Sequence, residues 1–243
     1  MEMAGMRGGM FDSGQEGLRW TRVGAWCAAG WRIYREAPVR ILLLALSPIV
    51  FEALVQLTPW AGIVLSKLLT PAVSAWVLVM LDCKLRHHGF SPGKTGRQTV
   101  LRWRQVGGLA LASLLVFSVQ VATAALIGSP AQAGALAAGD IAGIGFSQVE
   151  LAGVLASGAV PMLFLFFVGP RMILDGLRLW PAVVENARLL KRCWQPMVFY
   201  SLLMALMLAG LTWMPLLLLV FLPAGLCIGY AAYRDVFDRV PGA

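Results

Sequence analysis

Two ionisable residues stand inside stretches otherwise made of hydrocarbon: Glu52 in Val39–Leu57 and Lys67 in Trp60–Leu81. A charge at membrane depth costs about 2.5–3.5 kcal/mol on insertion scales, so such residues mark a paired or functional position. Glu52 lies seven residues before Pro59 of the Thr58-Pro59 turn and Lys67 eight after it. At ~1.5 Å per residue both sit ~10–12 Å from the turn, at matching depth on adjacent helices. The spacing predicts an ion pair. A pin that fixes the hairpin's rotation is the favoured role, because mutual neutralisation is the commonest reason such pairs are tolerated; a proton or substrate site is the sharper alternative.

Other chemistry-bearing clusters are weaker. Asp82, Cys83, His87 and His88 fall within seven residues where the second apolar stretch ends. Their spacing matches no standard metal site, adjacent histidines on a helix point about 100° apart, and Lys84 and Arg86 oppose a cation. Gly89-Phe90-Ser91-Pro92-Gly93-Lys94-Thr95 has three residues, not four, between its first Gly and Gly-Lys-Thr. It follows no strand, and Pro92 removes an N–H donor, so it is read as a turn and not a phosphate loop. The four cysteines are widely spaced and are read as free thiols. No catalytic set, metal or cofactor is expected.

The elements that position Glu52 and Lys67 follow from composition. Of 243 residues 59% are hydrophobic and 13% charged, with a mean hydropathy of +0.75. Globular domains carry about 45–50% apolar and about 25% charged residues. Half the usual charge cannot cover this much apolar surface, which excludes a soluble fold, a disordered chain and a disulfide scaffold. An all-α polytopic membrane protein remains, since helices satisfy every backbone group internally. Six stretches reach the roughly 20 residues a crossing needs: Val39–Leu57, Trp60–Leu81, Val106–Ile127, Leu151–Gly169, Pro196–Trp213 and Pro215–Tyr233. The first two and the last two form tight hairpins. Gly128–Glu150 joins the third to the fourth as a short helix or re-entrant turn.

Nineteen of the twenty Lys and Arg residues precede the first stretch or stand at its edge (Arg40), follow the last, or lie between stretches two and three or four and five. The positive-inside rule then places both termini in the cytoplasm of a bacterial inner membrane. The net charge of +8 therefore points to lipid and not to nucleic acid. Met1–Gly17 is read as a disordered tail, and no cleavable signal precedes the first stretch, which itself acts as the targeting signal.

Residues 18–238 read as one domain of three repeats, about 18–88, 89–176 and 177–238, each a basic amphipathic helix followed by a hairpin. Val23, Trp26, Cys27, Gly30, Ile33 and Tyr34 form the first apolar stripe. Val183, Val184, Ala187, Leu190 and Trp194 form the third, with Glu185 opposite, and Val100 and Trp103 belong to the second. Such helices lie in the membrane plane with cations among the phosphates, which nominates Arg32, Arg35, Arg102, Arg104, Arg188, Lys191 and Arg192 as headgroup contacts. Pro71, Pro161 and Pro223 kink the second span of each unit. Bent helices that simply pack well are favoured over kinks that line a central cavity.

Gly24-Ala25-Trp26, Trp31-Arg32 and Glu36-Ala37-Pro38, leading into a hairpin, with the three-fold plan resemble six-span bacterial inner-membrane proteins. These are similar in layout to the YciC-like group and to the membrane domain attached to some glycerophosphodiester phosphodiesterases. The resemblance covers roughly residues 18–238 and implies an inner-membrane location, but no catalytic residue. The expected function is a non-enzymatic, lipid-interacting scaffold or accessory factor of the envelope, with anionic lipids and a membrane protein as partners. The alternative is a transporter of a small or amphipathic solute. A polar cavity reaching mid-membrane would favour transport, and a closed apolar bundle the accessory role.

Overall fold

The computed structural model of the chain describes residues 20–58, 62–87, 92–140 and 145–237, without the side chains of residues 87, 92, 94 and 192. The expectations for Met1–Gly17, for the Gly89–Ser91 turn and for the Arg192 side chain lie outside the described residues. Within them the chain is all-helical. In order run α1 (Arg22–Glu36), α2 (Pro38–Gln56), α3 (Gly62–His87), α4 (Pro92–Leu101), α5 (Trp103–Ile127) and α6 (Pro130–Ala138). Then follow α7 (Gln148–Ser157), α8 (Ala159–Leu165), α9 (Val168–Ile173), α10 (Leu179–Arg192), α11 (Trp194–Gly210) and α12 (Leu218–Phe237).

Among the described residues five stretches are long and apolar enough to cross a membrane: Pro38–Gln56, Gly62–Arg86, Trp103–Ile127, Gln148–Leu165 and Pro215–Phe237. Counting α10 and α11, bent by 105° at the break between them, as one span gives a sixth. Only 11–33% of the apolar windows of the five is buried inside the chain. Leu43, Leu54, Leu111, Leu126 and Val220 point outward, as lipid-facing side chains do.

The fourth span is not the continuous Leu151–Gly169 helix expected. Pro161 has no N–H for the Ser157 carbonyl, and α7 ends at Ser157. Pro170 likewise has none for Phe166, and the chain breaks again between Leu165 and Val168. Carboxamides from neighbouring helices bond to the backbone near both breaks. Gln120 of α5 donates to the Leu155 carbonyl at 3.4 Å, and Asn186 of α10 bonds Phe164 and Phe167.

Residues 128–140 and 145–150 of the connection are folded. Ser129 caps α6, Gly139 ends it in the left-handed region at φ 77°, and Ser147 with Glu150 forms a capping box on α7. Ala133 of α6 packs on Ala124 and Val154, which anchors this end of the bundle.

The largest part of the core sits at the opposite end, which carries the basic connections. Val23 and Trp26 of α1 pack there with Phe167, Met197, Tyr200, Ala232 and Tyr233. The α1 stripe is thus covered by α12 and not by lipid. Its Gly30 is so close to Ile228 that an added Cβ would stand 2.8 Å from the Ile228 backbone nitrogen. In α4 the buried residues are Thr95 and Thr99, while Val100, Leu101 and Trp103 face outward. In α10 Glu185, expected on the solvated face, turns inward.

Candidate functional site

Helices α2, α3, α8, α11 and α12 line a half-open cavity of about 560 Å³. That volume lies in the range of small-molecule sites. Its walls are hydrocarbon, from Ile49 on α2 through Met204 and Leu208 on α11 to Phe221 and Leu222 on α12; Ser74, Ser201 and Tyr200 supply the polar side chains. Along α12 the lining runs from Leu218 to Gly229. Eleven helical steps of ~1.5 Å give about 16 Å, half of a ~30 Å hydrocarbon layer.

Gly225 and Gly229 form part of the lining one turn apart, and a Cβ on either would meet no atom within 4 Å. Glycine inside a helix costs about 1 kcal/mol relative to alanine. Here that cost widens the cavity. Pro48, inside α2, also lines it. Pro71, Pro161 and Pro223 are buried within or beside the same bundle but do not themselves line it.

Glu52 and Lys67 are brought together as an ion pair between α2 and α3. Gln56 donates to the same carboxylate oxygen at 3.2 Å, and the ammonium stands 5.8 Å from the Phe117 ring centre. The pair lies one to one and a half turns from the helix ends at Gln56 and Gly62, and its side chains keep 23% and 25% exposure.

The proposed headgroup cations divide. Arg32, Arg35, Arg104, Arg188 and Lys191 are exposed at the basic end, with Arg104 stacked 5.4 Å from the Trp103 ring. Arg102 is half-buried and donates to the Leu174 carbonyl at 3.1 Å, closing the end of α9.

A polar layer at the basic end escaped the sequence reading. Arg171, 8% exposed, donates to Asp175 at 2.7 Å and to Glu185 at 2.9 Å, with Phe237 4.5 Å from its guanidinium carbon. Tyr233 donates to Asp175 at 2.8 Å. Tyr230 donates to Asp82 at 2.6 Å, and Trp26 to Asp235 at 2.9 Å. Arg171 and Asp175 stand one turn apart just after the fourth apolar stretch, and nothing in the local pattern marks Glu185 as a further partner of Arg171.

Among the described residues no group of three or more His, Cys, Asp or Glu side chains is placed to hold a metal. The four cysteines form no disulfide, and burial pushes the Cys27 thiol up. Asp82 is committed to Tyr230 and Arg86. Comparison with protein-family models, with curated proteins and with solved structures gives no match.

Proposed function

We propose that the protein is a non-enzymatic, lipid-binding accessory protein of a bacterial inner membrane, which takes one hydrocarbon chain of a membrane lipid into the cavity. The observation that carries this reading is the 560 Å³ apolar cavity with two helical glycines in its lining. An apolar cavity gains dispersion contacts when an apolar guest enters. A transporter of polar solutes would need polar partners along its route, and three hydroxyls among hydrocarbon support that reading poorly. The six-crossing topology with both termini cytoplasmic rests on the distribution of basic residues. The three-fold plan is supported by the recurrence of a short helix (α1, α4, α10) before long ones.

The test is native mass spectrometry of protein washed in detergent and reloaded with palmitoyl-oleoyl phosphatidylethanolamine. The wild type should keep one lipid through the wash, and the Gly225→Leu/Gly229→Leu protein should lose it while remaining folded. Equal retention by both would overturn the proposal.

A further inference from the structure

The cavity has an aromatic end and an end near a charged pair. At the basic end Phe166 meets Tyr200 edge-on, with ring centres 4.9 Å apart, and Tyr200 is 4% exposed. The other end is fixed by the register of α2 against α12, which run antiparallel. Ile41 packs with Cys227 and Tyr230, and Leu44 packs with Leu226. Glu52, eight residues beyond Leu44, is therefore level with residue 218, eight before Leu226, where the cavity lining on α12 begins. On α2 itself Ala45, Pro48 and Ile49 line the cavity. Glu52 continues that stripe at three- and four-residue spacing. Neither Glu52 nor Lys67 is itself a lining residue; by this register their pair lies about one helical turn beyond Ile49, next to the end of the lining.

Each charge of the pair keeps unused bonding capacity among the described residues. An ammonium has three donors, and Lys67 gives one to Glu52. One oxygen of Glu52 receives both Lys67 and Gln56, leaving the second carboxylate oxygen. Both side chains are about one quarter exposed, so a polar group can reach them. A phosphate would accept from the remaining Lys67 donors, and a primary ammonium would donate to the second Glu52 oxygen. A phosphate without an amine would instead face the Glu52 carboxylate with like charge.

Resting on the chain-binding reading above, we propose that the bound lipid is a zwitterionic aminophospholipid. Its phosphate sits at Lys67, its ammonium at Glu52, and its acyl chain runs from there toward Tyr200.

The experiment compares three lipids with identical palmitoyl-oleoyl chains by native mass spectrometry of the full chain: phosphatidylethanolamine, phosphatidylglycerol and diacylglycerol. The wild type should retain phosphatidylethanolamine about tenfold over diacylglycerol, the effect expected from one charge-assisted bond, and should also prefer it to phosphatidylglycerol. In the Glu52→Gln/Lys67→Met protein the preference should shrink to within about twofold while one chain is still retained. Preference for phosphatidylglycerol, or none among the three, in the wild type overturns the headgroup assignment whether or not the variant folds. An unchanged preference in the folded double variant also overturns it. Either result leaves the chain-binding reading intact if Gly225→Leu/Gly229→Leu still abolishes retention. Retention of all three lipids by that glycine variant overturns the chain-binding reading itself.

Discussion

The side-chain oxygen of Asn186 accepts the backbone N–H of Phe167 at 3.1 Å, while its amide donates to the Phe164 carbonyl at 2.7 Å. One carboxamide from α10 therefore replaces the helical bonds lost at the break between α8 and α9. Asn186 is 1% exposed, so water cannot substitute for it. Asn186→Leu should destabilise the protein by roughly 2–4 kcal/mol, the cost of orphaned buried polar groups. Denaturant titration in detergent micelles checks this. A loss below about 0.5 kcal/mol would mean that the break holds itself.

Arg171 makes a second prediction. It ties α9 to α10 through Glu185 and sits over Phe237 of α12, while Asp175 receives Tyr233. Arg171→Met leaves two carboxylates beside a buried apolar side chain and should cost about 3–5 kcal/mol. Tyr233→Phe removes one neutral donor and should cost about 1 kcal/mol. A ranking in which Tyr233→Phe is the more damaging would contradict the central position of Arg171.

Glu52 and Lys67 should show coupling in a double-mutant cycle. Breaking a fully buried pair costs about 3–5 kcal/mol, but quarter exposure lets water and headgroups solvate the orphan, so about 1–2 kcal/mol is expected for Glu52→Gln or Lys67→Met alone. The double variant should recover most of it. Additive losses, measured by thermal unfolding in detergent, would show that the two charges do not interact.

Topology is tested by reporter fusions. Six crossings require residues 20, 95, 185 and 240 on one face and residue 140 on the other. The bent pair decides the outcome for the last helix: if α10 and α11 together lie along the surface, residue 240 reports from the opposite side to residue 20.

The spans of α2, α3, α5 and α12 were legible because hydrocarbon runs of that length have one structural solution in a membrane. The Glu52–Lys67 contact was legible for a related reason, since a tight hairpin converts equal distances from a turn into equal depth. The break at Leu165–Val168 had its signal in Gly169-Pro170, which a hydropathy window averages away. The partnership of Arg171 with Glu185 had no such signal. Fourteen residues and a change of direction at Gly176 separate them, and in sequence both look like solvated charges beside a span. The α1 stripe was visible as a stripe, but periodicity states only that a face is apolar, not whether lipid or α12 covers it. The cavity was invisible for a similar reason: it is made of residues from five helices, and its glycines acquire meaning only once no neighbour fills the space above them.

The contact between Trp26 and Asp235 joins residues 209 apart in the chain. At synthesis rates of 5–20 residues per second, on the order of 10–40 s separates the emergence of these two side chains from the ribosome. Throughout that interval the first hairpin is available for insertion while the Val23–Trp26 face of α1 has no α12 to rest on. Completion of the last helix is thus the event that closes the molecule. A nascent chain arrested before Leu218 differs from a finished one by this uncovered tryptophan face.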